Sequence, residues 1–418
     1  MSALRLIYLA LGAATASLNP FISVILSNHG MDPALIGVVN AVGAFGLVAA
    51  IAVWGHVGDR VLGRRTTLQL AAVVASVVAV SVGLPVPPVL LGVLVIAFTC
   101  SHGGIQALAD AVTVNSLRHP DRQYGQIRLM ASLSFALATI AVGFVVDRLG
   151  YPVASVFYVV FAAALVAASF GVPAQRPGDD LDVEVDVAVA AGPAGQPIAA
   201  AGKVDAPAPI LAPEAPTRFG STGLAFRTQP RLLPVLATVA VTWVAIIVSF
   251  TFLTLRIVAL GGKPYDVGLS FGVSAFAEIP GMILAARLVS RLGLRGLFCL
   301  GAIAYGAAFA SWAVLNSPEA IVATRLVTGV AYGGMTVAMV LTIGQLLPSS
   351  LQATGQALYQ GTAMGLASAG GNILGGLIYG AAGAPVLFVC CAAICATGGL
   401  MGLATLPGKV TLRSGSGV

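Results

Sequence analysis

Two carboxylates stand where the surrounding sequence is otherwise apolar. Of the 15 Asp and Glu residues, all but Asp110 and Glu278 lie in polar stretches or at the ends of apolar runs. An ionisable side chain at the centre of a membrane helix costs at least ~2.5–3.5 kcal/mol, so each marks a candidate site for a ligand or a proton. Asp110 has company. His102, Gln106 and Asp110 are spaced i, i+4, i+8, which puts them on one face of a helix. The next apolar run opens Tyr124-Gly125-Gln126-Ile127-Arg128, at a depth that lets Arg128 reach Asp110. That pair can be a structural brace, or it can bind a substrate. Guanidinium is a bidentate donor, and carboxylate accepts from hydroxyls and amines. Trp243 offers a stacking surface for a ring. Arg325 is either a counter-charge for Glu278 or a cation reaching back to the interface. Asn19, Asn40, Tyr305, Gln345, Gln360 and Asn372 are further polar positions, each readable as cavity lining or as glue between helices.

The elements that must position these residues follow from composition. The chain has 418 residues, 58% hydrophobic and 9% charged, with 50 glycines. A soluble domain carries about 25% charged residues. Stretches of about 20 apolar residues recur twelve times between residues 3 and 406. Lipid demands an internally bonded backbone, and no alternating barrel pattern is present, so the spans are helices. The fold class is therefore all-α and polytopic, with twelve transmembrane helices. Residues 1–173 form one six-helix half and 230–406 the other. Residues 174–229 are rich in Pro, Ala and Gly, open with an acidic run at 179–186, and read as a disordered linker. Residues 407–418 form a tail.

Lys and Arg set the orientation. With termini and linker in the cytoplasm, Arg148 and Lys263 alone of the 21 basic residues fall clearly outside, and Arg128, Arg256 and Arg325 fall within spans. The expectation is a multi-pass protein of the cell membrane with both termini cytoplasmic. The formal charge of +6 is spread over these loops, so nucleic acid is not an expected partner. The five cysteines lie in apolar runs without metal-site spacing, and no cofactor is expected. No Walker motif or nucleophile–base constellation is present, which leaves an ATP-driven pump or a membrane enzyme without support.

The halves echo one another. Gly30 and Gly261, Pro33 and Pro264, Gly37 and Gly268, Phe45 and Phe276, and Arg60 and Arg291 are all separated by the same interval. Secondary transporters are commonly built from such repeats, with substrate held between halves near the midplane. After the second span comes Gly55-His56-Val57-Gly58-Asp59-Arg60-Val61-Leu62-Gly63-Arg64-Arg65. Gly63 permits a tight turn, and Asp59 can bond a helix N-terminus or a basic partner. The second-half counterpart, 286–295, is degenerate, with Ser290 in the acid's place.

This loop resembles the signature loop of the major facilitator superfamily, which implies two pseudo-symmetric halves and a conformational-gating role for Gly55, Asp59, Arg60, Gly63 and Arg64. The acid ahead of Tyr124-Gly125-x-x-Arg128, the opening Leu4-Arg5-Leu6-Ile7-Tyr8 and Phe276-Ala277-Glu278-Ile279-Pro280 are similar to the lactose-permease-like branch, which includes phenylpropionate permeases and nucleoside–proton symporters. The resemblance implies substrate contacts at Asp110 and Arg128 and proton coupling at Glu278, with Asp110 second. It also has departures. The span-ten His and Glu of lactose permease are Thr328 and Ala331 here, which argues against a galactoside substrate. The expected function is alternating-access, proton-coupled uptake of a small polar or aromatic organic solute by a monomer. The rival is proton-coupled efflux of a hydrophobic compound or drug. Span five lacks the Gly-Pro kink common in dedicated exporters, which favours uptake.

Overall fold

The structure, a computed structural model, describes residues 2–117, 120–173 and 220–408. Among the described residues, ten continuous helical stretches are long and apolar enough to cross a membrane, two of them 51 and 52 residues long. A straight 51-residue helix would be about 77 Å long, more than twice the ~30 Å of bilayer hydrocarbon. Both long stretches break at a glycine, Gly293 (φ 68°, ψ 176°) and Gly383 (φ 79°, ψ 174°), so the described residues make twelve crossings.

The spans are α1 (Ser2–Asn28), α2 (Pro33–Leu62), α3 (Arg64–Val82), α4 (Pro88–Ser116), α5 (Pro120–Leu149) and α6 (Pro152–Ser169) in the first half. The second half holds α7 (Leu232–Ala259), α8 (264–292), α9 (294–314), α10 (Pro318–Leu346), α11 (354–382) and α12 (384–405). An even number of crossings puts both described ends on one face, called here the terminal face.

Helix starts are written in the sequence. Pro33, Pro88, Pro152, Pro264 and Pro318 each occupy a first-turn position, where the missing N–H is no loss. Asp32 caps α2 by accepting from Leu35 N at 3.0 Å, and Ser317 caps α10 by accepting from Ala320 N at 3.2 Å. The positive-φ glycines fall into matched pairs, one per half. Gly30 and Gly261 follow α1 and α7, Gly63 and Gly293 follow α2 and α8, and Gly150 and Gly383 follow α5 and α11. The repeat seen in sequence thus carries the same backbone turns in both halves.

The halves meet through two equivalent crossings, α2 with α11 and α5 with α8. A Cβ on Gly37 would overlap the carbonyl oxygen of Asn372, and one on Gly376 would press on the Pro33 carbonyl. In the other crossing Gly268 lies equally close to the Thr139 carbonyl, and Gly143 lies against Pro264 and Gly268. These backbone-to-backbone approaches all lie in the parts of the helices remote from the terminal face. Membrane helices rely on such small residues because lipid supplies no hydrophobic drive between them.

On the terminal face the halves share a second device. Arg65 Nη1 donates to the Val172 carbonyl at 2.9 Å, just past α6. Arg295 donates to the Leu406 carbonyl through Nε at 3.1 Å and Nη2 at 3.0 Å, just past α12. Each arginine ties the start of its half's third helix to the free carbonyls at the end of the sixth.

One correction concerns the linker. Residues 174–219 lie outside the described residues, as do 409–418 of the tail, but Gly220–Thr228 is a short helix rather than disordered chain. Ala225 is buried and Phe226 packs against the core, which gives this end apolar surface to bury.

Candidate functional site

Between the halves lies a cavity of about 180 Å³, formed by α1, α2 and α4 on one side and α7, α8 and α11 on the other. The break in α1 beside it is local chemistry. Pro20 has no N–H, so α1 narrows to a tight turn at Asn19–Phe21, and Asn19 faces the cavity. From the first half Thr15, Asn19, Asn40, Thr99, His102 and Gln106 line it. The second half contributes Thr251, Ser368 and Asn372 beside the rings of Phe250 and Phe271. Among the described residues no Asp, Glu, Lys or Arg lines this cavity.

Its amides are pre-oriented. Asn372 accepts from Thr251 Oγ1 at 2.6 Å through Oδ1 and donates to the Ser368 carbonyl at 2.9 Å. Asn40 Nδ2 donates to the Ile36 carbonyl at 3.0 Å. His102 is held from both ring nitrogens, Nε2 3.2 Å from Thr15 Oγ1 and Nδ1 2.9 Å from Tyr158 Oη, and it stacks on Phe98 at 5.5 Å.

Gln106 connects the cavity to the charges. Its Nε2 donates to Asp110 Oδ1 at 3.0 Å, and the Tyr8 hydroxyl donates to the same oxygen. Asp110 Oδ2 lies 3.6 Å from Arg128 Nη1, and that nitrogen donates to the Tyr124 hydroxyl at 2.7 Å. Asp110 is 0% and Arg128 5% exposed. The pair anticipated from spacing is therefore brought together, one helical turn toward the terminal face from Gln106. It sits beneath the cavity rather than in its wall. Tyr8 belongs to the opening Leu4-Arg5-Leu6-Ile7-Tyr8 motif, but nothing in its spacing marks it as a partner of Asp110.

The second half holds a separate polar cluster. Glu278 on α8 is buried, its Oε1 has no hydrogen-bond partner among the described residues, and its backbone carbonyl crosses α10 at Gly333. Arg325 on α10 is fully buried, so it does not reach back to the interface. It donates from Nε to the Ser270 carbonyl at 3.4 Å and from Nη1 to Thr328 Oγ1 at 3.2 Å. The Phe250 and Trp312 rings flank it at 5.7 and 5.9 Å. Among the described residues no ion pair joins Arg325 to Glu278; Tyr305, whose hydroxyl also lacks a partner, lies within electrostatic reach of both. Trp243 is fully buried against Tyr359 and Tyr332, at 5.8 and 6.4 Å between ring centroids, and does not line the cavity. Arg256 bonds the Leu315 carbonyl at 3.2 Å and so braces the turn after α9.

At the loop after α2, Gly63 turns with φ 79° and ψ 147°, and Arg64 Nε donates to Asp59 Oδ1 at 2.7 Å. Gly58 packs under Leu108 of α4, while Gly55 has open space beside it. Arg60 is exposed.

Comparison with known proteins bears on this arrangement. The model for the MFS_1 like family matches residues 1–390. Maltose permease of Geobacillus stearothermophilus is 28% identical over 374 residues, covering 89% of this chain and 85% of that protein. The uncharacterized transporter YwbF of Bacillus subtilis (strain 168) is 21% identical over 382 residues, covering 90% and 86%. Among solved structures, a D323A mutant of the nucleoside transporter NupG superposes with TM-score 0.77 at 13% identity, covering 96% of this chain and 98% of that one. A D-xylose–proton symporter superposes with TM-score 0.70 at 14% identity, covering 97% of each.

Proposed function

This chain belongs to the MFS_1 like family and is an integral membrane transporter of the major facilitator type, and from that premise we propose that it takes up a small, neutral, hydroxyl-rich solute together with protons. The observation that carries this reading is the chemistry of the central cavity. Both halves face it with amides and hydroxyls, two phenyl rings add stacking surface, and no charged side chain is among its described lining. Such a wall exchanges hydrogen bonds with a sugar or nucleoside and offers nothing to balance an ionic substrate. The relatives named as maltose permease, nucleoside transporter and D-xylose–proton symporter support the same class.

In this reading the solute docks against Gln106, His102 and the Asn372–Thr251 pair. Asp110 and Arg128 sense its presence through Gln106, because any shift of that amide alters a bond to a buried carboxylate. Glu278 carries the coupled proton, and Arg325 with Tyr305 adjusts the charge around it. The terminal face is cytoplasmic in the plasma membrane, following the basic-residue bias, and the glycine crossings close the external side. Alternating access then requires those crossings to separate while the terminal side closes, with the Gly63 turn and the Asp59–Arg64 pair acting at the hinge between α2 and α3. The protomer works as a monomer, since each half already finds its partner within the chain.

The test is transport into proteoliposomes under an inwardly directed proton gradient. Accumulation of a neutral sugar or nucleoside that collapses with a protonophore is expected. Gradient-independent flux, or export of amphiphilic cations instead, would overturn the proposal.

A further inference from the structure

The degenerate second copy of the signature loop borders a membrane-facing groove. Between α8, α9 and α10 lies a depression of about 350 Å³ walled by apolar side chains and glycines. Gly281 and Gly301 let α8, α9 and α10 close together beneath it, since a Cβ there would meet the Val330 backbone or the Met335 side chain, and Leu284, Leu300 and Leu326 stand exposed around it. We propose that this groove holds an acyl chain of an anionic glycerophospholipid from the terminal-face leaflet, with the headgroup on Arg287 and Arg291.

Charge identifies the headgroup. In the first half, Asp59 pairs with Arg64 at 2.7 Å. The corresponding acid is missing in the second half, where the Ser290 hydroxyl turns back to the Arg287 carbonyl at 3.0 Å. Arg295 is engaged with the Leu406 carbonyl. Arg287 and Arg291 are both exposed, and among the described residues no carboxylate lies at ion-pair distance from either. They are four residues apart and therefore share a face, and Leu288 between them lines the groove. Two neighbouring cations at the end of a transmembrane helix form a site for a phosphodiester.

Length identifies the tail. From Arg291 to Gly281 the helix rises about 15 Å, the hydrocarbon depth of one leaflet. A headgroup on the arginines therefore lays its first acyl carbons beside Leu288 and its later ones across Gly281, Ala304 and Val330. A zwitterionic lipid would fill the groove equally well but would leave the arginines uncompensated. The preference between the two lipids should be about twenty-five-fold, since each of the two juxtamembrane cations contributes about fivefold.

The experiment is native mass spectrometry of the purified full chain in detergent, titrated with phosphatidylglycerol and phosphatidylcholine carrying identical acyl chains. Wild type should retain phosphatidylglycerol about twenty-five-fold more strongly. Arg287→Gln with Arg291→Gln should lower retention to the phosphatidylcholine level. Ala304→Leu, which fills the groove from its open side, should weaken both lipids. Gel filtration of each variant checks that it remains folded. Equal retention of both lipids by wild type, an undiminished preference in the double variant, or unaltered retention in Ala304→Leu would each overturn the proposal.

Discussion

Gln106 lines the central cavity and donates to Asp110 Oδ1 at 3.0 Å, which makes one amide the link between a neutral binding surface and a buried ion pair. Asp110 is shared among Tyr8 of α1, Gln106 of its own helix and Arg128 of α5. Three helices of the first half are therefore braced through a single carboxylate, directly below the place where a solute would sit.

Gln106→Leu should separate binding from stability. It preserves side-chain size but removes one amide from the cavity and one bond to Asp110, whose other partners remain. The expected result is a solute affinity about fivefold to tenfold weaker, for the loss of roughly 1 kcal/mol of hydrogen bonding. The apparent melting temperature should stay near that of wild type. Ligand titration by thermal shift reads both at once.

Asp110→Asn removes the carboxylate that lies 3.6 Å from the buried Arg128 guanidinium. Breaking a buried pair in this way costs about 3–5 kcal/mol, so a large fall in melting temperature is expected together with loss of transport. The double variant Asp110→Asn, Arg128→Gln removes both charges of the pair. Its stability should recover most of the loss while transport stays absent, and recovery of transport would make the pair a brace and nothing more.

Glu278→Gln should uncouple protons from solute. The amide keeps the shape of the side chain but cannot exchange a proton. Uptake driven by a pH gradient should fail, whereas solute counterflow, which needs no net proton movement, should persist. Loss of both activities would place Glu278 in solute binding instead.

Gly37→Val and Gly268→Val should have matching effects, because each Cβ meets a backbone carbonyl at an equivalent crossing of the two halves. Backbone cannot swing aside as a flexible side chain can, so the halves must part on the face remote from the termini. In a background with the five cysteines replaced by alanine, a cysteine at Asn40 should react several-fold faster with an impermeant maleimide applied from that face. Unchanged labelling in both variants would mean that these crossings do not hold the cavity shut.

Much of this architecture was legible in the sequence because membrane insertion imposes strong rules. The twelve apolar runs and the repeat of Gly30, Pro33 and Gly37 at Gly261, Pro264 and Gly268 gave the two-half plan, and the positive-φ glycines follow it. The i, i+4, i+8 spacing of His102, Gln106 and Asp110 is local helix geometry, so it survives intact. Contacts between distant helices are different. Nothing in the pattern around Tyr8 or Tyr158 tells that one bonds Asp110 and the other His102, because those partners are chosen by packing across α1, α4 and α6. The burial of Trp243 and Arg325 was hidden for the same reason: an apolar run does not announce which face meets lipid and which meets the cavity. Thr15, Thr251 and Ser368 carry no signal in the sequence, because single hydroxyls are common in membrane helices and gain meaning only when the cavity gathers them.

The most direct test is a thermal-shift screen of the purified protein and its Gln106→Leu variant against sugars, nucleosides, aromatic acids and hydrophobic cations. A neutral hydroxyl-rich solute should stabilise wild type, with a markedly smaller shift in Gln106→Leu. Stabilisation by hydrophobic cations alone, equal in both proteins, would contradict a neutral-solute site in the central cavity.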